Sequence, residues 1–190
     1  GEFQGVALIT MGTLLSFLVL VIVGKRTIGS QAAQKSDLYM RLALAYMIAA
    51  GIGLHNLGEG LAIGSAYVLG EVALGAFLVI GFAIHNITEG FGIVAPVASG
   101  EKPRNIHFLV LGLLAGVPAI FGTWIGGFIY SDIWATLYFA IGAGAIFQVV
   151  YEIIKLMSRE SEAGIGNLTN FTGLVLGLLI MYITGLFVVI

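Results

Sequence analysis

The chain has 190 residues, of which 59% are hydrophobic and 9% are charged, and its mean hydropathy is +1.06. Soluble domains carry about 25% charged residues, so this composition excludes a water-soluble fold and indicates a chain surrounded by the lipid bilayer. The net charge of −2 offers no basic surface for nucleic acid, and the absence of cysteine excludes disulfides and thiolate chemistry. A metal site would therefore use histidine, carboxylate and amide ligands.

Apolar runs of spanning length, about 17–25 residues, occur six times along the chain. We therefore expect an all-α integral membrane protein that forms a single transmembrane domain over residues 1–190. The predicted helices are Gln4–Gly24, Leu42–Leu69, Val72–Ala98, Ile106–Ile129, Ile133–Met157 and Leu168–Ile190.

The basic residues predict an orientation. All eight of them lie in, or at the edges of, the connectors that follow the first, third and fifth helices. By the positive-inside rule these connectors face the cytoplasm, which places both termini outside the cell (inner or plasma) membrane. The basic residues are Lys25, Arg26, Lys35, Arg41, Lys102, Arg104, Lys155 and Arg159.

The pattern H-N-x-x-E-G occurs in both the second and the third helix, at residues 55–60 and 85–90, near the middle of each span. The two helices run in opposite directions, so the two motifs lie at the same depth. This arrangement indicates a pseudo-twofold axis in the membrane plane, where transporters with inverted symmetry commonly place their ion site.

Each motif projects its histidine and its glutamate together, because residues four apart share one helix face. If the two faces meet, two imidazoles and two carboxylates converge beside two amide oxygens. This set suits Zn²⁺ or another divalent transition metal such as iron, manganese or cadmium, and is too nitrogen-rich for Mg²⁺ or Ca²⁺. An acidic residue at mid-membrane costs about 2.5–3.5 kcal/mol, which a bound cation or protons offset. The predicted metal ligands are His55, Asn56, Glu59, His85, Asn86 and Glu89.

Glu152 and Gln148 lie four residues apart near the cytoplasmic end of the fifth helix and form a candidate transient ion site. The alternative is that Glu152 is a helix-end residue in a salt bridge with Lys155. His107 begins the fourth helix and is typical of a solvated interface histidine rather than a ligand.

These features favour a divalent metal-ion transporter over two alternatives. A membrane metalloenzyme can build a diiron or zinc site from the same side chains on bundle helices, and a structural subunit can use polar residues only to hold helices together. The inverted symmetry favours transport, and so does the lack of a further nucleophile or base at the depth of the motifs. We expect no catalytic residues, and the expected partners are the metal ion, the lipid bilayer and a second copy of the chain in a homodimer.

The paired motif resembles that of the ZIP (zinc/iron-regulated, Zrt/Irt-like) metal-ion transporters of prokaryotic type, whose usual forms are H-N-x-P-E-G and H-E-x-P-E-G. The resemblance extends to Gly116–Gly122, similar to the family's sixth helix, and to Gln148–Ile153, similar to the acidic end of its seventh. It implies an eight-helix fold with the two motif helices at the core of a transport domain. The six helices here then correspond to family helices three to eight, and the family's first two have no counterpart in the chain.

Four positions depart from the family pattern. Gly58 and Thr88 stand where the motifs carry proline, and Asn86 and Ala119 stand where many relatives carry further acids. Relatives that have those acids hold two neighbouring ions, so the resemblance implies a single well-occupied metal site in this chain.

Overall fold

The structure is a computed structural model that describes residues 2–29, 36–129, 131–160 and 166–189. All regular secondary structure in these ranges is helical. Lys35, part of the predicted orientation signal, and Ile190, the predicted end of the last helix, lie outside the described residues.

In the described part of the chain, six helices are long and apolar enough to cross a membrane, which confirms the predicted fold class and number of spans. A short 3-10 helix, Ala95–Val97, follows the third of them. The spanning helices are α1 (Glu2–Gly29), α2 (Asp37–Val68), α3 (Val72–Val94), α4 (Asn105–Phe128), α5 (Asp132–Glu160) and α6 (Leu168–Val189).

The start of α2 lies earlier than its apolar run predicts, at Asp37 rather than Leu42. Ser36 caps the helix, because its side chain accepts a hydrogen bond from the Tyr39 N–H, and Asp37 places a negative charge in the first turn. The 32 residues of α2 measure about 48 Å at 1.5 Å per residue. This exceeds the hydrocarbon thickness of about 30 Å, so α2 extends beyond the apolar layer or crosses it at a tilt.

The third span was predicted to end at Ala98, and the apolar helical span ends at Val97. Its regular α-helix ends one turn earlier, at Val94. Pro96 has no N–H to donate, and the chain tightens there into the 3-10 helix. Gly100 then adopts a φ of +86°, a left-handed conformation that favours glycine, and turns the chain toward α4.

The centre of the bundle is α2, which packs on α3, α4 and α5, while α1 packs mainly on α5 and α6 on α3. The α2–α4 contact is the most extensive, and it brings the two backbones together directly. At five glycines a Cβ atom would overlap a backbone carbonyl of the opposite helix, so small residues permit this approach. They are Gly53, Gly60 and Gly64 on α2, and Gly122 and Gly126 on α4.

The beginnings of α2 and α4 and the ends of α1, α3 and α5 form what we call the basic end of the bundle. Arg41 ties two of these segments together, because its Nη1 donates hydrogen bonds to Ser99 Oγ (2.8 Å) and to the Pro96 carbonyl (3.2 Å). A buried apolar core lies between the basic end and the motif residues, where α2, α3, α4 and α5 meet. It comprises Ala45, Ile48, Ala49, Ile52, Ile93, Val97, Leu111, Ala115 and Val149.

Candidate metal centre

The two motifs meet at the α2–α3 contact, as their matched depth predicts. The side chains of His55, Glu59, His85 and Glu89 each offer one ligand atom, and these four atoms all lie within 4.8 Å of one another. Glu59 and His85 are buried, whereas His55 and Glu89 are partly exposed. The group therefore has an enclosed side and an accessible side.

The carboxylate of Glu59 is at the centre of this cluster. Its Oε1 atom lies 2.5 Å from His85 Nε2 and 3.4 Å from His55 Nε2. His55 Nε2 is also 4.0 Å from Glu89 Oε1. The cluster thus joins side chains across the two helices as well as within α2.

The separations are close to those of a tetrahedral site. Ligand atoms at about 2.0–2.2 Å from Zn²⁺ lie about 3.3–3.6 Å from one another. The separations here, all within 4.8 Å, bracket that spacing. The His85–Glu59 contact is the shortest of the distances in the cluster.

Buried oxygen atoms without partners occur in both motifs. Among the described residues, Asn56 Oδ1, Glu59 Oε2, Asn86 Oδ1 and Glu89 Oε2 are buried and accept no hydrogen bond. Most buried polar groups in native proteins are paired. Four unpaired acceptors beside two imidazoles are therefore a feature that a cation explains.

The two asparagines of the motifs have different surroundings. Asn56 is 3% exposed, and its Nδ2 donates a hydrogen bond of 3.2 Å to the Ala115 carbonyl on α4, while its Oδ1 accepts none in the described part of the chain. Asn86 also has a buried Oδ1 that accepts no hydrogen bond among the described residues. Thr88, at a family proline position, donates from Oγ1 to the His85 carbonyl (2.6 Å), inside a helix that stays continuous.

A cavity of about 220 Å³ adjoins the cluster. It reaches Ala62, which follows the motif on α2, and Phe82, which precedes the motif on α3, so it lies on the side away from the basic end. Gly142 and Phe139 of α5 form its opposite wall.

These α5 residues and Phe82 were missed by the sequence analysis. Phe82 packs edge-on against the His85 ring, with the ring centroids 5.4 Å apart. A Cβ at Gly142 would lie 3.4 Å from His55 Cα, so this glycine sets the width of the cavity beside the ligand. Of these residues, only Phe82 could have been found from the sequence, because it lies one turn before His85 on the same helix. The α5 residues are too far along the chain for any spacing to connect them with the motifs.

The candidate transient site on α5 is buried. Gln148 is 0% exposed and both of its amide atoms lack a hydrogen-bond partner in the described part of the chain, while Glu152 is 5% exposed. Lys155 Nζ donates to Glu152 Oε2 at 3.2 Å, which is the salt bridge expected in the alternative interpretation. Glu152 is not among the His and Glu side chains that converge in the described residues.

His107, predicted to be a solvated interface residue, is partly buried at the start of α4. Its Nδ1 lies 2.9 Å from the Tyr46 hydroxyl, and the two rings pack edge to face. His107 is not part of the metal-ligand cluster that the described residues form.

Among the described residues, six helices of spanning length and a mid-bundle cluster of histidine and glutamate define the chain as an integral membrane protein with a candidate divalent-metal site. A family model described as ZIP zinc transporter matches residues 9–185. The chain therefore belongs to the ZIP zinc transporter family, as its paired motif predicts, and this family transports divalent metals. Comparison with curated proteins and with solved structures gives no match.

Proposed function

We propose that this chain carries Zn²⁺, or another divalent transition metal such as iron, manganese or cadmium, and that the ion binds between α2 and α3. The observation that carries the proposal is the convergence of His55, Glu59, His85 and Glu89 within 4.8 Å in a zinc transporter family member. Two nitrogen and two oxygen donors match the ligand preference of Zn²⁺. Two ionised carboxylates also balance the charge of one divalent ion.

Asn56 and Asn86 are proposed as auxiliary oxygen ligands. Asn56 is better prepared for this role, because its hydrogen bond to the Ala115 carbonyl fixes the amide with the oxygen unpaired. Neither asparagine adds charge. A second divalent ion beside the first would leave about two uncompensated positive charges in a poorly solvated site, so we propose one well-occupied site.

The cavities on either side of the cluster support a transport pathway. The 220 Å³ cavity reaches His55 from the side away from the basic end. The buried apolar core lies on the opposite side, between the cluster and a second cavity of about 300 Å³ at the basic end. With the basic end in the cytoplasm, this arrangement is accessible from outside and closed toward the inside, with both termini outside the cell membrane.

Glu152 and Gln148 lie between the cluster and the second cavity, and we propose that they form the transient site on the inner side. Glu152 lines the basic-end cavity directly. Gln148 contacts α2 near Gly51, where a Cβ would lie 2.9 Å from its Oε1. We further propose that residues 1–190 act as one transmembrane domain and that the lipid-embedded chain assembles as a homodimer.

Flux measurements test transport directly. Proteoliposomes containing the chain and an internal zinc indicator should show zinc uptake that is lost in His55→Ala and retained in His107→Ala, a matched histidine outside the cluster. Loss of uptake in both variants, or in neither, would contradict the site. Substrate turnover without ion flux would instead support the membrane metalloenzyme, which uses the same ligands.

A further inference from the structure

The Glu152 side chain is almost completely buried, whereas the side chain of its counter-ion, Lys155, is partly exposed. Glu152 is 5% exposed, and the side chain of Lys155, which pairs with it at 3.2 Å, remains 34% exposed. An enclosed carboxylate without a cation is costly. The ammonium group of Lys155 therefore neutralises Glu152 from the side of the basic-end cavity.

The deeper side of Glu152 has an oxygen ligand without a partner. Gln148 precedes Glu152 by one helical turn on the same face of α5, and its Oε1 and Nε2 form no hydrogen bond among the described residues. The Gln148 amide and the Glu152 carboxylate thus form a small oxygen-bearing site. A cation at this site would contact the amide that Lys155 leaves unpaired.

The Lys155 ammonium group has alternative surroundings close to Glu152. Its Nζ lies 5.5 Å from the centroid of the Tyr151 ring, close enough for a cation–π contact, and its flexible stem borders the cavity of about 300 Å³. Arg41, in contrast, is held by Asp37, Pro96 and Ser99.

We propose that the Lys155 ammonium group, a cation fixed to the chain, competes with metal ions for the Glu152 carboxylate. A divalent ion that leaves the mid-membrane site must then displace the ammonium group from Glu152. The proposal rests on the proposed function in assuming that ions pass this point. The site formed by Gln148 and Glu152, which we call the inner station, therefore binds metal weakly. A passing ion has to exchange with the ammonium group instead of binding a carboxylate that has no counter-ion. Lys155 thereby favours release over retention.

Removal of the ammonium group should convert the inner station into a measurable binding site. Lys155→Met and Lys155→Gln should each bind a second Zn²⁺ per chain, about fivefold tighter than any second ion in the unmodified protein, which is the effect of losing one competing ion pair of about 1 kcal/mol. The extra site should disappear in the Lys155→Met/Glu152→Gln double variant. Lys155→Arg should bind like the unmodified protein, because it retains a cation.

Arg159→Met is the matched control, since Arg159 lines the same cavity and forms no ion pair with Glu152 in the described part of the chain. Zinc binding is measured by calorimetry on the full chain in lipid nanodiscs. A second ion in both Lys155 variants, absent from Arg159→Met, supports the proposal. No second ion in either Lys155 variant, or an equal gain in Arg159→Met, overturns it.

Zinc flux through the same variants separates this proposal from the proposed function. If the unmodified chain transports zinc, Lys155→Met should show slower uptake at saturating zinc together with its tighter inner site. A merely structural lysine would give slower uptake without the additional bound ion. If the unmodified chain shows no flux, the proposed function fails, while the binding result still decides whether Lys155 competes for Glu152.

Discussion

Glu59→Gln is the most informative single change at the metal centre. The substitution keeps the size of the side chain and one oxygen, so the packing of α2 is preserved. It removes the negative charge whose Oε1 atom lies 2.5 Å from His85 Nε2 and 3.4 Å from His55 Nε2. In the described residues, no other carboxylate approaches both imidazoles as closely.

The expected loss of zinc affinity is large. Altering a group that only supports a metal ligand typically costs 10–100-fold in affinity. Glu59 is itself a proposed ligand and supplies half of the negative charge, so we expect Kd to rise by more than about 100-fold, or about 2.8 kcal/mol. At a zinc concentration of about 100 times the original Kd, the ligand-induced stabilisation of about 2.7 kcal/mol should then shrink to less than about 0.5 kcal/mol.

Calorimetric titration and zinc-dependent thermal unfolding in nanodiscs measure the two quantities independently. Glu71→Gln is the matched control, because Glu71 is an exposed acid at the start of α3 and lies outside the cluster. Its affinity should be unchanged. Retention of near-original affinity in Glu59→Gln, with the protein folded, would refute the assignment of Glu59 as a ligand.

Three further predictions concern ion count, protons and packing. Anomalous scattering from zinc-soaked crystals should show one strong peak among His55, Glu59, His85 and Glu89; two peaks of comparable height would contradict the charge balance. Zinc binding should release protons and weaken as pH falls, since imidazole and carboxylate ligands must lose their protons to bind. Titration in buffers of different ionisation enthalpy tests this, and heats independent of the buffer would exclude it. Gly60→Ala should destabilise the bundle by about 1–3 kcal/mol, because the added Cβ would overlap the Ala119 carbonyl. Gly116→Ala is the control and should not destabilise it, because a Cβ there would have no neighbouring atom within 4 Å. Equal unfolding midpoints for the two variants would show that the backbones are not in contact at Gly60.

Hydropathy predicted the number and order of the helices because spanning length and apolar composition are local properties of the sequence. It did not predict where α2 begins, since Ser36 and Asp37 define that start by capping and by charge rather than by hydrophobicity. The end of α3 was predictable in principle from Pro96, but its apolar neighbours continue the hydropathy signal through Ala98.

The convergence of the four side chains was predictable, because the mid-span position of the motif on two antiparallel helices gives their depth in the membrane and the i, i+4 spacing gives the helix face that they share. The rest of the site depends on contacts between distant segments. Phe139 and Gly142 approach His55 only because α5 packs on α2, and no spacing in the sequence encodes that neighbour. The Asn56–Ala115 hydrogen bond likewise requires the close approach of α4.

That close approach also determines which parts of the bundle can move together. Beside Glu59, Gly60 brings the backbone of α2 against the Ala119 carbonyl, and Asn56 is hydrogen-bonded to α4 one turn earlier. Sliding α2 along α4 would bring side chains of one helix into steric overlap with backbone carbonyl groups of the other, and it would break that hydrogen bond. Near His55 the α2–α5 contact is looser, because a cavity adjoins it and a Cβ at Gly142 would meet only ordinary van der Waals neighbours. Any displacement that moves the proposed ligands past α5 therefore has to carry α4 with α2, although the four clustered side chains found in the described residues come from α2 and α3.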